Sequence, residues 1–310
     1  MKQNKLEPSR RTVLTSMLAF GLGSALGPGP LLAAARPLTK AIPVSGEALP
    51  VIGMGTWITF NVGEDAALRE QRRGVLQTFF DRGGGMIDSS PMYGSSEEVI
   101  GYCLARIENT DSLFAATKVW TPTRWLGVRQ MEASEELWGT QRFDLMQIHN
   151  LLSWEEHLET LLEMKEQGRV RYIGITTSHG SRHGAMERIM RSKPIDFVQF
   201  TYNLLDREAE SRLLPIAAER NLGVIVNRPF RRGSLFDDFE RHPLPAWASE
   251  FDCENWAQFM LKFIVSHPAV TCAIPATSRV DHMKENMGAA RGRLPTPDLR
   301  ARMIRYVESL

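Results

Sequence analysis

The sequence predicts an α/β fold in which eight parallel strands alternate with helices and close into a (β/α)8 TIM barrel with an N-terminal β-hairpin. Eight apolar runs of four to seven residues recur along the chain, as expected for parallel strands covered on both faces. Helical patterns lie between these runs, and about 275 residues follow the first 35, a typical size for such a barrel. The alternative, a doubly wound sheet, would lead us to expect a glycine fingerprint after the first strand.

The predicted elements follow one another in a regular order. The hairpin is expected over residues 38–52, because Ser45-Gly46-Glu47 forms a turn between two apolar arms. The predicted barrel strands span residues 51–56, 86–89, 113–118, 144–149, 170–176, 197–200, 223–227 and 271–275. Predicted helices include residues 66–82, 97–106, 154–167, 208–220, 255–266 and 295–310. Residues 233–252 form the longest stretch that we expect to be irregular.

The first 35 residues differ from the rest and are interpreted as an export signal. Their start is basic, with four Lys or Arg residues against one acidic residue, and a weakly apolar, Gly- and Ala-rich run follows. Pro28 and Pro30 interrupt that run, which makes it a poor membrane span. Ala33-Ala34-Ala35 then offers the small residues of a cleavage site. We therefore assign residues 1–35 to a signal peptide and residues 36–310 to the barrel.

The route of export is also predicted. Residues 9–14 (Ser-Arg-Arg-Thr-Val-Leu) resemble the motif of the twin-arginine (Tat) pathway, which carries folded proteins. We expect the Tat translocon to be a transient partner and the mature protein, beginning near Arg36, to be periplasmic. Residues 21–27 nearly match a dinucleotide fingerprint, but they lie inside this signal and follow no strand, so we discard them.

Charge and cysteine content exclude several classes of protein. Lys and Arg number 37 against 36 Asp and Glu, so nucleic acid is not an expected partner. Without residues 1–35 the net charge falls from +1 to −2. Cys103, Cys253 and Cys272 are far apart in the sequence, which predicts free, mostly buried thiols and no metal site. We expect a monomer without a stable membrane span in the mature form.

Polar residues stand where three successive predicted strands end. Asp88 ends the second strand and Tyr93 follows five residues later, Lys118 ends the third strand, and His149 ends the fourth. Catalytic groups in such barrels lie at the carboxyl ends of the strands. The sequence therefore predicts that Asp88, Tyr93, Lys118 and His149 converge on one mouth of the barrel.

Motifs along nearly all of the chain after residue 35 resemble the aldo-keto reductase family. They are residues 49–57 (Leu-Pro-Val-Ile-Gly-Met-Gly-Thr-Trp), 85–97 (Gly-Met-Ile-Asp-Ser-Ser-Pro-Met-Tyr-Gly-Ser-Ser-Glu), 117–118 (Thr-Lys), 143–149 (Phe-Asp-Leu-Met-Gln-Ile-His), 199–203 (Gln-Phe-Thr-Tyr-Asn), 274–278 (Ile-Pro-Ala-Thr-Ser) and 285–286 (Glu-Asn). The ordered set is more specific than any one of its members.

The resemblance implies an oxidoreductase that reduces an aldehyde or ketone to an alcohol, or runs the reverse reaction. A nicotinamide cofactor must supply the hydride, because no side chain can. The resemblance makes Tyr93 the proton donor, Lys118 the charge that lowers its pKa, and Asp88 the partner that holds Lys118. His149 would orient the carbonyl.

The resemblance also implies a cofactor site at the carboxyl ends of the strands. Its predicted contacts are Thr56, Trp57, Asp88, Thr176, Gln199, Arg228, Pro229, Thr277, Ser278, Arg279, His282, Glu285 and Asn286. Many relatives place an aromatic residue where Asn227 stands, so Arg228 could lie along the cofactor instead. Arg279 is the nearest guanidinium for a 2′-phosphate. NADP(H) is favoured by the habit of the family, and NAD(H) stays open.

Two functional interpretations remain at this point. The first is the small-molecule reductase described above, and the second is a non-catalytic, cofactor-binding relative that acts as a binding or sensory partner. The four residues Asp88, Tyr93, Lys118 and His149, called the tetrad below, are all present and favour the first interpretation. The altered nicotinamide contacts and the export signal keep the second open. Only 24 residues follow Asn286, so an open mouth without a long C-terminal lid is expected, lined by Trp57, Trp120 and Trp125.

Overall fold

The computed structural model describes residues 36–178 and 180–310, so the export-signal prediction for residues 1–35 lies outside the described residues. Within them, eight parallel strands follow each other around a barrel in chain order. They are β3 (Met54–Gly55), β4 (Met86–Asp88), β5 (Phe114–Val119), β6 (Phe143–Ile148), β7 (Val170–Thr176), β8 (Phe197–Thr201), β9 (Gly223–Asn227) and β10 (Cys272–Ala273).

The first and last of these strands close the barrel. Gly53 N donates to Ala273 O at 2.9 Å, and Ala273 N donates to Val51 O at 2.9 Å. Gly55 N adds a hydrogen bond of 3.1 Å to Pro275 O. Because all eight strands run in the same direction, their carboxyl ends share one rim. The predicted (β/α)8 barrel is therefore confirmed.

A two-stranded antiparallel hairpin precedes the barrel, as predicted. It consists of β1 (Thr39–Ala41) and β2 (Ala48–Pro50). The Tyr172 hydroxyl of β7 donates to Ser45 Oγ in the hairpin turn at 2.7 Å. Ile42 and Leu49 are buried in a cluster with apolar residues from most of the barrel strands. The hairpin thereby covers the amino-terminal end of the barrel and leaves the opposite rim for chemistry.

Helices surround the barrel and cover the outer faces of its strands. They are α1 (Ala66–Asp81), α2 (Ser96–Leu104), α3 (Arg124–Trp138), α4 (Trp154–Glu166), α5 (His183–Ser192), α6 (Leu213–Glu219), α7 (Ser234–Phe239), α8 (Trp256–Val265), α9 (Val280–Gly288) and α10 (Pro297–Val307). In α1, Asp65 caps the first turn by accepting from Leu68 N at 2.9 Å. The apolar face of α1, which includes Val75 and Phe79, is buried.

Some predicted elements differ from the observed ones. The first and last barrel strands are only two residues long, because their neighbouring residues close the barrel through isolated bridges. The stretch 233–252, expected to be irregular, contains α7 and a short 3-10 helix, Ala246–Phe251. Leu235 and Phe239, one helical turn apart, are buried and explain α7. The predicted helix over 208–220 begins as a separate 3-10 turn before α6.

Three further predictions concern the cysteines, membrane spans and metal sites. All three cysteines are buried and free, which confirms the predicted thiols. In the described part of the chain, no helix is long and apolar enough to cross a membrane, and no group of three or more potential metal ligands occurs.

Candidate active site

The four residues predicted from the strand ends meet at the carboxyl rim of the barrel. Asp88 ends β4, Lys118 lies near the end of β5, and His149 directly follows β6. Lys118 Nζ lies 2.5 Å from Asp88 Oδ2 and 5.1 Å from the centre of the Tyr93 ring. The Tyr93 and His149 rings are 5.7 Å apart and perpendicular. The structure thus brings all four side chains into one cluster.

Asp88 is held from several directions at the centre of this cluster. Its Oδ2 accepts from Lys118 Nζ, while its Oδ1 accepts from Gln147 Nε2 at 2.8 Å and Gln199 Nε2 at 2.9 Å. Lys118 Nζ also donates to Ser89 O at 2.6 Å. Both charged side chains are almost fully buried, at 0% and 2% exposure. A buried ion pair is tolerated where further hydrogen bonds satisfy both partners, as they do here.

The electrostatics of Lys118 and Tyr93 are coupled. Burial alone would lower the pKa of the Lys118 ammonium, but the neighbouring Asp88 carboxylate and Tyr93 raise that pKa above its usual value. Burial raises the pKa of the Tyr93 hydroxyl, and Lys118 opposes this increase. Lys118 thus acts in the expected direction, although burial outweighs it. At neutral pH the lysine is charged and the tyrosine carries its proton.

His149 is a neutral imidazole in a fixed orientation. Burial, followed by the charge of Lys118, lowers its pKa from 6.5 to about 3. Its Nδ1 is hydrogen-bonded to Ser90 Oγ at 2.8 Å. In the turn that follows, Asn150 adopts the left-handed conformation with φ 53°, and its backbone N–H donates to Thr176 Oγ1 at 3.0 Å. Thr176, predicted as a cofactor contact, therefore also supports the His149 turn.

Tyr93 is placed by a short 3-10 helix, Pro91–Tyr93, between β4 and α2. Ser90 begins this turn by accepting from Met92 N at 3.2 Å. Gly94 ends it with φ 62° and ψ −125°, a conformation that side chains disfavour. A Cβ atom at Gly94 would also lie only 2.4 Å from Asn61 Oδ1. This glycine is required for the chain to leave Tyr93 and enter α2.

A buried carboxyl group behind the cluster was not predicted as a site residue. Glu97 of α2 accepts from Thr117 Oγ1 at 2.5 Å, Ser134 Oγ at 2.9 Å and Trp138 Nε1 at 3.3 Å. Burial raises the pKa of Glu97, although these hydrogen bonds and Lys118 oppose the increase. Glu97 ties α2 and α3 to the strand residue that precedes Lys118. Its position inside the Tyr93 motif was the only sequence signal available.

Other supporting residues were also missed by the sequence reasoning. The sequence placed Gln147 within a family motif but predicted no role for it, yet its side-chain amide donates directly to Asp88. Asn227 accepts from Thr201 Oγ1 at 2.9 Å and donates to Thr177 O at 3.0 Å. Alternation along β6 could have identified Gln147 as a polar side chain that faces the barrel interior.

Several predicted cofactor contacts lie within the polar frame of the barrel mouth. Thr56 is buried and donates to Asp88 O at 3.1 Å and Ser89 Oγ at 2.9 Å. Gln199 is 2% exposed and donates to Asp88, as described above. Pro229, the second residue after β9, is buried. These residues line or support the mouth, and their contact with a cofactor stays a prediction.

The residues predicted after the eighth barrel strand are mostly exposed. Arg279 forms a two-point ion pair with Asp281, in which its Nε donates to Oδ1 at 3.0 Å. His282 and Glu285 are exposed on the first turns of α9. Thr277 is buried and its Oγ1 accepts from Arg279 N at 3.1 Å, whereas Ser278 is partly buried. Asn286 is buried in α9, at 2% exposure.

A basic cleft opens at the carboxyl ends of β7, β8 and β9. It has a volume of about 740 Å³. Its lining includes Ser178, Thr201, Leu205, Arg228, Arg231 and Arg232. Across the mouth, the Arg232 guanidinium stacks 4.4 Å from the centre of the Trp57 ring. Trp120 is 41% exposed near His149, and Trp125 is 64% exposed further out on α3. The loop after β9 therefore supplies three of the four arginines that line the cleft, whose lining also includes the carboxylates of Asp206 and Glu208.

This arrangement can be compared with known protein families. The model of the aldo/keto reductase family matches residues 51–302, which is most of the chain. The chain belongs to the aldo/keto reductase family. The family match covers all four tetrad residues and the barrel strands around them. The predicted family, and with it the prediction of an aldo/keto reductase enzyme, is confirmed.

Individual relatives agree with this membership. The chain is 25% identical over 266 residues to methylglyoxal reductase YeaE of Escherichia coli, a match that spans 84% of this chain and 92% of YeaE. It is similar to an aldo-keto reductase from Klebsiella pneumoniae solved with NADPH, with 25% identity and a TM-score of 0.72 over 87% of this chain and 95% of that one. Another Klebsiella pneumoniae aldo/keto reductase, solved with NADP and acetate, has 26% identity and a TM-score of 0.70 over 84% and 93%.

Proposed function

We propose that the protein is an NADP(H)-dependent oxidoreductase that interconverts an aldehyde or ketone and the corresponding alcohol. The observation that carries this proposal is the buried Lys118–Asp88 ion pair, which lies against Tyr93 with neutral His149 on its other side. A protonated phenol beside a fixed ammonium is suited to donating a proton and stabilising the phenolate that remains.

The residues at the rim fit a phosphate-bearing cofactor. Arg231 and Arg232 line the cleft, and the first turn of α9 presents backbone amides at the same rim. Solved relatives hold NADP or NADPH, which supports NADP(H) as the cofactor here. Arg231, Arg232 and Ser234 would hold the phosphate groups. Arg279 is a candidate for the 2′-phosphate and would have to exchange its partner Asp281 for it.

The chemical step requires a hydride and a proton. When bound, NADPH supplies the hydride to the carbonyl carbon. Tyr93 donates its proton to the carbonyl oxygen, and Lys118 stabilises the resulting phenolate until a proton returns. Because Ser90 Oγ is hydrogen-bonded to His149 Nδ1, Nε2 of the neutral imidazole can carry the proton and donate a second hydrogen bond to the carbonyl oxygen. Asp88 keeps Lys118 charged and in place.

Replacing the proton donor tests this function. Tyr93→Phe should keep NADPH binding and the fold but reduce turnover by at least about 10²-fold, the usual scale for loss of an acid catalyst. Turnover is measured as NADPH oxidation with a panel of carbonyl compounds. The panel includes methylglyoxal, because one relative is a methylglyoxal reductase. Near-normal turnover in Tyr93→Phe would refute the assigned mechanism. NADPH binding by the wild-type protein with no oxidation by any carbonyl would favour a binding or sensory role.

We also propose that the protein is exported by the twin-arginine pathway and acts in the periplasm. The support is the sequence of residues 1–35, in which Arg10-Arg11 precedes a Gly-rich apolar run and Ala33–Ala35. Replacing both arginines with lysine should leave unprocessed precursor in the cytoplasm. Cell fractionation and N-terminal sequencing measure this. Wild-type protein found only in the cytoplasm, with its original N-terminus, would contradict the proposal.

A further inference from the structure

Three arginines follow the seventh barrel strand within five residues, and two of them are engaged. Arg231 donates to both carboxylate oxygens of Asp206, at 2.9 and 3.0 Å. Arg232 stacks on the ring of Trp57. Arg228 differs from both. Within residues 36–178 and 180–310, no hydrogen bond or ion pair is made by its guanidinium; the Asp206 carboxylate interacts with its charge from a distance but is bound by Arg231.

The backbone of Arg228 is held in a specific conformation despite this. Arg228 directly follows β9 and has φ 50°, the left-handed region that non-glycine residues rarely adopt. Its carbonyl oxygen accepts from Asn203 Nδ2 at 3.1 Å and from Arg231 N at 3.1 Å. Such strained residues persist where the surrounding structure determines them, and they cluster at ligand sites. The direction in which Arg228 leaves the strand is therefore built into the fold.

The guanidinium of Arg228 lies in the basic cleft, within electrostatic range of Tyr93. Its side chain lines the cleft and is partly buried. Burial lowers the pKa of Arg228, and Tyr93 is among the groups close enough to interact with its charge. Asp206 interacts with this charge but is hydrogen-bonded to Arg231, so a partly desolvated guanidinium without a directly bound anion favours an incoming one. A planar guanidinium matches the two oxygens of a carboxylate.

We propose that Arg228 binds a carboxylate of the substrate, so that the preferred substrates are aldehydes or ketones that carry a carboxylate group. This inference rests on the proposed reductase function, because it places the carbonyl of the same molecule at Tyr93. The sequence alone had placed Arg228 along the cofactor. Its neighbours Arg231 and Arg232 lie further along the same loop, where the proposed function assigns them to the cofactor phosphates, whereas the charge of Arg228 interacts with Tyr93.

Two aldehydes of the same shape test the inference. With 4-carboxybenzaldehyde and 4-methylbenzaldehyde, the wild-type protein should show a higher kcat/KM for the carboxylate. Arg228→Gln should reduce the ratio of the two kcat/KM values by at least about tenfold, the scale of one charge-assisted contact. Arg228→Lys should restore part of the ratio. Arg305→Gln, which removes an exposed arginine from α10, is the matched control and should leave the ratio unchanged.

Parallel titrations of NADPH separate the substrate from the cofactor. Unchanged NADPH affinity with a reduced ratio in Arg228→Gln supports the inference. Weaker NADPH binding, with equal losses of kcat/KM for both aldehydes, would assign Arg228 to the cofactor and overturn the inference. A ratio of the two kcat/KM values that is the same in Arg228→Gln as in the wild-type protein would also overturn it.

A failure of the proposed reductase function can be distinguished from a failure of the carboxylate site. If the wild-type protein reduced neither aldehyde, calorimetric titration of both aldehydes into the NADP⁺-loaded protein would replace the kinetic readout. A carboxylate preference that Arg228→Gln abolishes would still support the anion site, and equal affinities would overturn it. Circular dichroism verifies that each variant is folded. If Arg228→Gln does not fold, Arg228→Lys is compared with the wild-type protein instead.

Discussion

Replacing Lys118 with Met separates the proposed catalytic role of this residue from its structural one. Lys118→Met removes the ammonium that stabilises the Tyr93 phenolate, so turnover should collapse. It also leaves the Asp88 carboxylate buried without its ion-pair partner. Breaking a buried pair in this way typically costs about 3–5 kcal/mol. Gln147 and Gln199 still donate to Asp88, so we expect the lower end of that range.

A second substitution should return the stability but not the activity. In Asp88→Asn/Lys118→Met, the buried charge that lost its partner is gone, and the double variant should regain roughly 2 kcal/mol relative to Lys118→Met. Turnover should stay low, because the ammonium beside Tyr93 is still missing. Asp88→Asn alone should lose less activity than Lys118→Met, since Lys118 remains and still donates to Ser89 O.

Urea unfolding and kcat, measured on the same preparations, provide the assay. Lys262→Met is the matched control, because Lys262 is also fully buried but lies on α8. Its Nζ donates to three backbone carbonyls, at 2.7, 2.8 and 3.0 Å. This control should lose stability and keep its turnover per folded molecule. If the double variant regained turnover together with stability, or if folded Lys118→Met kept normal turnover, Lys118 would be structural only.

Two further predictions concern the cofactor and the response to acid. Arg279→Ala should weaken NADPH binding roughly tenfold or more and change NADH binding little, whereas Asp281→Asn should strengthen NADPH binding by releasing Arg279. Both affinities are measured by fluorescence titration. Equal effects on the two cofactors would exclude Arg279 as the residue that selects NADPH. Burial lowers the pKa of His149 from 6.5 to about 3, so the unfolded chain binds this proton first and stability falls as the pH drops below 6.5. Between pH 7 and pH 5, wild-type protein should therefore lose about 2 kcal/mol more of its unfolding free energy than His149→Gln, and parallel losses would contradict the assigned shift.

The barrel and the tetrad could be predicted because their signals are local. A buried parallel strand is a short apolar run, and a catalytic residue at its carboxyl end is adjacent to it in the sequence. Asp88, Lys118 and His149 each stand beside such a run, and the shared direction of the strands determines that they meet at one rim. The same reasoning identified the hairpin through its turn at Ser45-Gly46-Glu47.

The partners of these residues could not be predicted, because they depend on how the strands close around the barrel. Gln147 and Gln199 are 59 and 111 residues from Asp88 in the sequence, and only the closed barrel brings their amides to its carboxylate. The arginines of the strand-seven loop show the same limit. Their sequence indicates a basic loop, whereas in the described part of the chain Arg231 is paired with Asp206 and the guanidinium of Arg228 forms no hydrogen bond or ion pair. Charge and position along the chain are local properties, but pairing is decided by distances between elements that are remote in sequence.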